Sequence, residues 1–143
     1  MVLDTPSQLS EQVLEALDAS AHHVLVTTPD LPALKNLRLM LDTLDLLGLD
    51  PARRSVLLNR HDTASGLQPA EVAGALRTTL NAVIRVNAEV PISIDEGQPL
   101  VARQGRNPVA QTIRAFATDT IVGDHAATGR RARRGLRTRT RSA

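Results

Sequence analysis

The chain has 143 residues, enough for one domain with a real core and too few for two. Hydrophobic residues make up 42 %, which excludes wholesale disorder; one Phe and no Trp or Tyr leave an aliphatic core and argue against a site built on aromatic stacking. The absence of Cys excludes disulfide scaffolds and thiolate chemistry, and the net charge of +2 divides into an acidic body and a basic end.

Met1 to Asp4 is a short apolar run ending in an acid, read as a first strand. A helix follows over roughly Ser7 to Ala19, with Leu9, Val13, Ala16 and Leu17 on one face. His22 to Thr28 is β-rich and short, a strand. Asp30 caps the next helix, Pro32 fits its first turn, and Leu34, Leu37, Leu41 and Leu44 repeat at helical spacing down to a stop at Gly48. Arg54 to Asn59 holds a second strand, Arg60 to Gln68 a polar loop, and Pro69 opens a short helix through Val72 and Leu76. Ala82-Val83-Ile84 is a third interior strand. Val90 to Val101 is a helical or turn segment interrupted by Pro91, Gly97 and Pro99. Asn107 caps a last helix with Val109, Ile113 and Phe116 on one face, and after Thr118 the apolar pattern fades. No stretch approaches 18 apolar residues and the start resembles no signal peptide, so a cytoplasmic protein without a transmembrane segment is expected.

Strands alternating with helices predict an α/β domain, a three-layer and mostly parallel sheet. Val24-Leu25-Val26 is apolar on successive residues, as in a sheet covered on both faces. Ligands of such sheets bind at the C-terminal strand ends, which directs attention to the loops after Leu3, Val26, Leu58 and Ile84.

Two of these loops carry candidate chemistry. Asp4, ending an apolar run, reads either as an acid that helps hold Mg²⁺ near phosphates or as a solvated acid capping the next helix. Asn59, followed three residues later by Asp62, reads either as a base-recognition pair or as an Asn–Asp turn. An amide meets both a donor and an acceptor on a base edge, and a carboxylate accepts from a ring or exocyclic N–H; the pair alone suits guanine as well as adenine.

The runs Val2-Leu3-Asp4-Thr5-Pro6, Val24 to Arg38, Leu57-Leu58-Asn59-Arg60 and Val90 to Val101, in this order and spacing, resemble the C-terminal half of MinD/ParA-type P-loop ATPases, nearest the CpaE-like branch associated with Flp/Tad pilus assembly. The resemblance covers about residues 1–117 and divides the chain into residues 1–118, an ATPase part starting at the Walker B strand, and residues 119–143, a disordered Arg-rich tail. It implies that Asp4 is the Walker B acid acting on Mg²⁺ through water, and that Asp4, Thr5 and Pro6 open switch II. It implies that Asn59 contacts adenine beside Arg60, that Arg85 and Val86 close the pocket, and that Thr28 to Asn36 lies near a homodimer or partner surface.

The departures from the family pattern are equally specific. The chain has no Gly-x-x-x-x-Gly-Lys-Ser/Thr run, and its only Lys is Lys35. Without that loop there is no ring of backbone N–H donors for phosphates and no lysine to offset their charge. The switch I acid and the Mg²⁺-binding Ser/Thr are missing, Ile84-Arg85 stands where the family has Ile-Pro, and Asp95 stands where the CpaE-like pattern often has Asn. A sheet lacking the P-loop strand lacks its centre: two strands pair directly, the Met1–Asp4 strand hangs loose, or a partner fills the gap.

The expectation is therefore a truncated, ATP-binding-type protein of pilus assembly or cellular positioning, with ATP and Mg²⁺ as family cofactors not held stably by this chain and no catalytic residue of its own. The alternative is a non-enzymatic protein-binding module whose basic tail contacts nucleic acid or anionic membrane. That tail holds Arg130, Arg131, Arg133, Arg134, Arg137, Arg139 and Arg141, but only Leu136 as a large apolar residue, which favours an unstructured solubilising extension over a functional tail. His22 and His23 face opposite sides of a strand and make no metal site by themselves, His61 and His125 have no paired ligands nearby, and Ser55, Ser65 and Ser93 lack a nucleophile elbow.

Overall fold

In a computed structural model, which describes residues 1–63, 66–103 and 106–122, three parallel strands form one sheet. Their order follows the chain: β1 (His23–Thr27), β2 (Arg54–His61) and β3 (Ala82–Arg85). Parallel neighbours need crossovers, and α2 (Leu31–Leu46) and α3 (Pro69–Leu76) supply them. α1 (Glu11–Ala19) precedes the sheet; α4 (Glu89–Asp95) and α5 (Pro108–Ala115) follow it, with α5 prolonged by a wider π-helical turn over Phe116–Val122. Among the described residues, no helix is long and apolar enough to cross a membrane.

Local chemistry sets the helix starts. Asp30 Oδ1 accepts from Ala33 N at 2.9 Å, and Asn107 Oδ1 accepts from Val109 N at 2.9 Å. Each satisfies a backbone donor that has no partner inside the helix. Pro32, Pro69 and Pro108 occupy first turns, where a missing N–H costs nothing. α2 stops at Gly48, whose φ of 72° lets Leu49 N reach back to Leu44 O at 3.1 Å.

The helical repeat of α2 is a burial pattern, since Leu34, Leu37, Leu41 and Leu44 are all buried. The first three pack with Val56 and Leu58 of β2 and Val72 and Leu76 of α3, and Leu25 and Val83 join from the outer strands. Ile84, next to Val83, faces the other side of the sheet. There it meets Leu100, Val109 and Ala110, with Val90 and Val101. Helices thus cover both faces at β3, making the three-layer α/β arrangement expected of the sequence.

At β1 the covering is one-sided. Val24 and Val26 are 43 % and 57 % exposed, against the expectation of two covered faces. The α2–α3 layer lies on the Leu25 face, while α1 is tied near the start of β1 through His23 Nε2 on Leu17 O at 2.8 Å. The expected Met1–Asp4 strand is not formed: residues 1–10 carry no regular structure, and Met1, Val2 and Leu3 are exposed. An apolar run becomes a strand only where a neighbour completes its ladder, and β1 and β2 pair directly without it.

Leu58 is fully buried, whereas Leu39 on α2 is 68 % exposed. Leu58→Ala is expected to cost about 2–5 kcal/mol in urea unfolding and Leu39→Ala less than about 1 kcal/mol. Equal costs would refute this placement of the core.

Candidate functional site

β2 and β3 keep register at Leu58↔Val83 and resume it at His61↔Arg85. Asn59 and Arg60 therefore oppose the single residue Ile84, the two-against-one count of a β-bulge. Arg60 carries the bend with φ 56°, a left-handed backbone that a residue with Cβ adopts at a cost. Asn59 Oδ1 accepts from Arg60 N at 2.9 Å and so holds the bend locally. Beyond it, Val86 N donates to His61 O at 3.0 Å. Asn59, Arg60, Arg85 and Val86 are thereby brought together at the C-terminal ends of neighbouring strands.

The surroundings of this end are polar and partly fixed. Asn87 Oδ1 accepts from Glu89 N at 2.9 Å and from Asn107 Nδ2 at 3.3 Å, which links the loop after β3 to the start of α5. His61 is buried, and neither ring nitrogen has a hydrogen bond among the described residues. In the loop after β1, the Thr28 hydroxyl donates to Asp30. That bond, then the Ala33 N–H, holds the Asp30 carboxyl below the usual carboxylate range.

Chemically, this end offers an edge for a flat heterocycle. Asn59 keeps its Nδ2 donors and a second lone pair on Oδ1, Val86 is an exposed apolar surface, and Arg60 and Arg85 are exposed cations. A nucleobase fits that donor set; a triphosphate–metal end does not. Asp4, Thr5 and Pro6 lie in the exposed segment before α1, and among the described residues they make no hydrogen bond or ion pair to β2 or β3. No group of three or more His, Asp or Glu able to hold a metal occurs among the described residues.

The other singled-out residues have structural partners or fall outside this description. Ser55 Oγ and His22 Nε2 are 2.7 Å apart, and Ser93 Oγ donates to Val90 O at 2.7 Å. Ser65, His125 and the arginines at 130, 131, 133, 134, 137, 139 and 141 lie outside the described residues. The bulge at Arg60 has little signature in the sequence: no glycine marks it, and only Asn59, a residue that bonds nearby backbone readily, hints at a turn.

No family model matches the chain, and no curated protein does. Solved structures do match. A chain of the MinC:MinD cell division protein complex from Aquifex aeolicus gives a TM-score of 0.70 at 14 % identity, over 79 % of this chain and 48 % of that one. A ParA family ATPase from Chlorobium tepidum TLS gives 0.69 at 20 % identity, over 78 % and 47 %. The septum site-determining protein MinD complexed with Mg-ADP from Pyrococcus horikoshii OT3 gives 0.69 at 24 % identity, over 84 % and 50 %. The chain thus has the fold of part of a MinD/ParA P-loop ATPase and spans about half the length of the chains it matches.

Two outcomes follow from this geometry. A left-handed residue with Cβ costs about 1–2 kcal/mol, and replacement by Gly returns about 0.5–1 kcal/mol in backbone entropy. Arg60→Gly is therefore expected to raise unfolding free energy by up to about 1 kcal/mol, and Arg60→Val to lower it, in denaturant titrations. The depressed carboxyl of Asp30 contributes stability that is complete above the ordinary Asp range near 3.8 and is lost as pH falls through the folded value. Asp30→Asn is expected to flatten the acid limb of stability against pH; an unchanged limb would remove Asp30 from that role.

Proposed function

We propose that this chain is a CpaE-like, MinD/ParA-related protein that supplies the base-recognition side of a nucleotide site and does not hydrolyse ATP by itself. The observation that carries the reading is the Asn59–Arg60 bulge joined to Arg85 and Val86 at the C-terminal ends of β2 and β3. In open parallel sheets this is where ligands sit. The fold is shared with a MinD complexed with Mg-ADP, which supports nucleotide as the ligand class.

On this reading Asn59 Nδ2 donates to a ring nitrogen of adenine, and Oδ1 accepts the exocyclic amino group on the lone pair that Arg60 N–H leaves open. Arg60 and Arg85 bound the site as cations, and Val86 covers a base face. ATP, when bound, supplies the phosphates, but no residue set in the described chain cradles them. The 143 residues contain no glycine-rich, two-lysine loop, and Asp4 alone makes no metal site. Completion of the phosphate end, with Asp4 recruited to Mg²⁺ and Thr5-Pro6 as the start of switch II, requires backbone donors and a lysine that these 143 residues do not supply. Residues 1–118 form the ATPase-derived part and 119–143 the basic extension. Homodimerisation or docking to a family partner, a role in pilus assembly or cellular positioning, and a cytoplasmic location go with this reading.

A second reading, a non-enzymatic docking module, is favoured by one observation: β1 is an edge strand whose Val24 and Val26 stay exposed. Such an edge accepts another strand. The basic tail would then add contact to nucleic acid or anionic lipid.

Calorimetry and NMR separate the two. Adenosine titrated to the full chain is expected to shift the amides of Asn59, Arg60 and Val86 at millimolar concentration, and Asn59→Ala to abolish the shifts. Mg-ATP is expected to bind no more tightly than adenosine, with no turnover. Adenosine shifts that leave these three amides unmoved would favour the docking module. Mg²⁺-dependent ATP binding lost in Asp4→Ala would overturn the incomplete phosphate end.

A further inference from the structure

We propose a second ligand site, for a small oxyanion of the phosphate or carboxylate class, at the opposite end of the sheet. A cavity of about 200 Å³ lies there between α2, the segment joining α3 to β3, and the start of β2. That volume is several times a water molecule's share of liquid and suits a small polyatomic ion. Leu41, Pro51 and Val56 give it apolar walls.

Its polar lining is unusual for a structural gap. Arg54 contributes a side chain only 5 % exposed, and its Nε has no hydrogen-bond partner. Its other guanidinium nitrogens are engaged, Nη1 with Asp45 at 2.6 Å and Nη2 with Leu49 O. A buried, unpaired donor on a cation is costly, and an anion in the cavity removes that cost. Arg77, Thr78, Thr79 and Asn81 add donors to the same lining. Among the described residues neither threonine hydroxyl nor the Arg77 guanidinium makes a hydrogen bond. Asn81 uses Oδ1 to accept from Val56 N at 2.8 Å, which leaves its Nδ2 donors for a ligand.

The charges around the cavity favour an anion. Arg38, Arg54 and Arg77 face the carboxylates of Asp42 and Asp45, an excess of one positive charge. The C-terminal carbonyls of α3 would repel an anion, but Arg38 already donates to the last of them, Leu76 O. Arg77 stands at the end of α3 with φ 52°, where Gly is the strain-free choice. A costly conformation kept by a charged residue on a cavity fits a ligand contact.

The test is an NMR titration of the full chain with sodium phosphate, and separately with sodium succinate, against sodium chloride at matched ionic strength. Saturable shifts at Arg54 and Arg77 through Asn81 are expected with at least one of the two probes, and which probe saturates identifies the ligand as phosphoryl or carboxylate. Arg77→Gly is expected to weaken binding about tenfold or more while raising the melting temperature of the ligand-free chain, because the helix end is relieved of its strained residue. Thr79→Val, a change of similar volume, is expected to weaken binding several-fold. Equal affinity in Arg77→Gly, shifts confined to residues 130–143, or no saturation with either probe would each overturn the site.

Discussion

β2 is the element on which the others depend. It alone is paired on both edges, and Ser55, Val56, Leu57 and Leu58 are buried in succession. Four consecutive buried residues require cover on both faces, because alternate side chains point to opposite sides. The parallel pairing of β1 and β3 to it then requires a crossover on each side, and α2 and α3 fill that role. One consequence is an ordered division of ends. Loops that leave strands gather at one end with the starts of the helices, and the helix C-termini gather at the other.

Among the described residues, the two non-glycine residues with positive φ sit one at each of these ends. Arg60 bends the outgoing end of β2 and takes Asn59 and itself out of regular pairing. Arg77 closes α3 at the incoming end, with its N–H bonded to Ala73 and Gly74 carbonyls. Both positions would be easier for glycine, and both carry a long cation beside a group of unspent donors. Strain in a well-packed α/β sheet is tolerated because the rest of the core, Leu58 and Leu76 among it, over-determines the backbone on either side.

Much of this fold is written locally. Leu34, Leu37, Leu41 and Leu44 mark α2 by period alone, Asp30 and Asn107 mark helix starts by their capping chemistry, and Ser55 to Leu58 marks a strand covered on both faces. The segments whose structure departs from their composition are those whose state depends on a neighbour. Met1 to Leu3 has strand composition but no ladder to join, and Val24 to Val26 has the composition of a covered strand but stands at an edge. The site divides the same way. The family resemblance singled out Asn59, Arg60, Arg85 and Val86, and they lie at neighbouring strand ends, while the bulge between them is a backbone torsion with no residue signature. The buried, unpaired Nε of Arg54 was invisible, because nothing in Pro51-Ala52-Arg53-Arg54 says which of two adjacent arginines turns inward.

On the proposed nucleotide reading, the open edge of β1 bears on how the phosphate side of the site is completed. A phosphate cradle must offer several backbone N–H groups at the same end of the sheet as Asn59, and β1, β2 and β3 do not provide them there. A strand added in parallel to β1 would finish beside Thr28 and Asp30, at that same end, and the loop leaving it would be delivered where the phosphates must lie. An antiparallel strand would finish at the other end, beside His23 and Arg54, and would deliver nothing to the base site. The exposed Val24 and Val26 supply apolar area for either, so hydrophobic burial does not choose between them. The direction of the added strand does, and it is therefore the feature that separates the proposed nucleotide site from the proposed docking module.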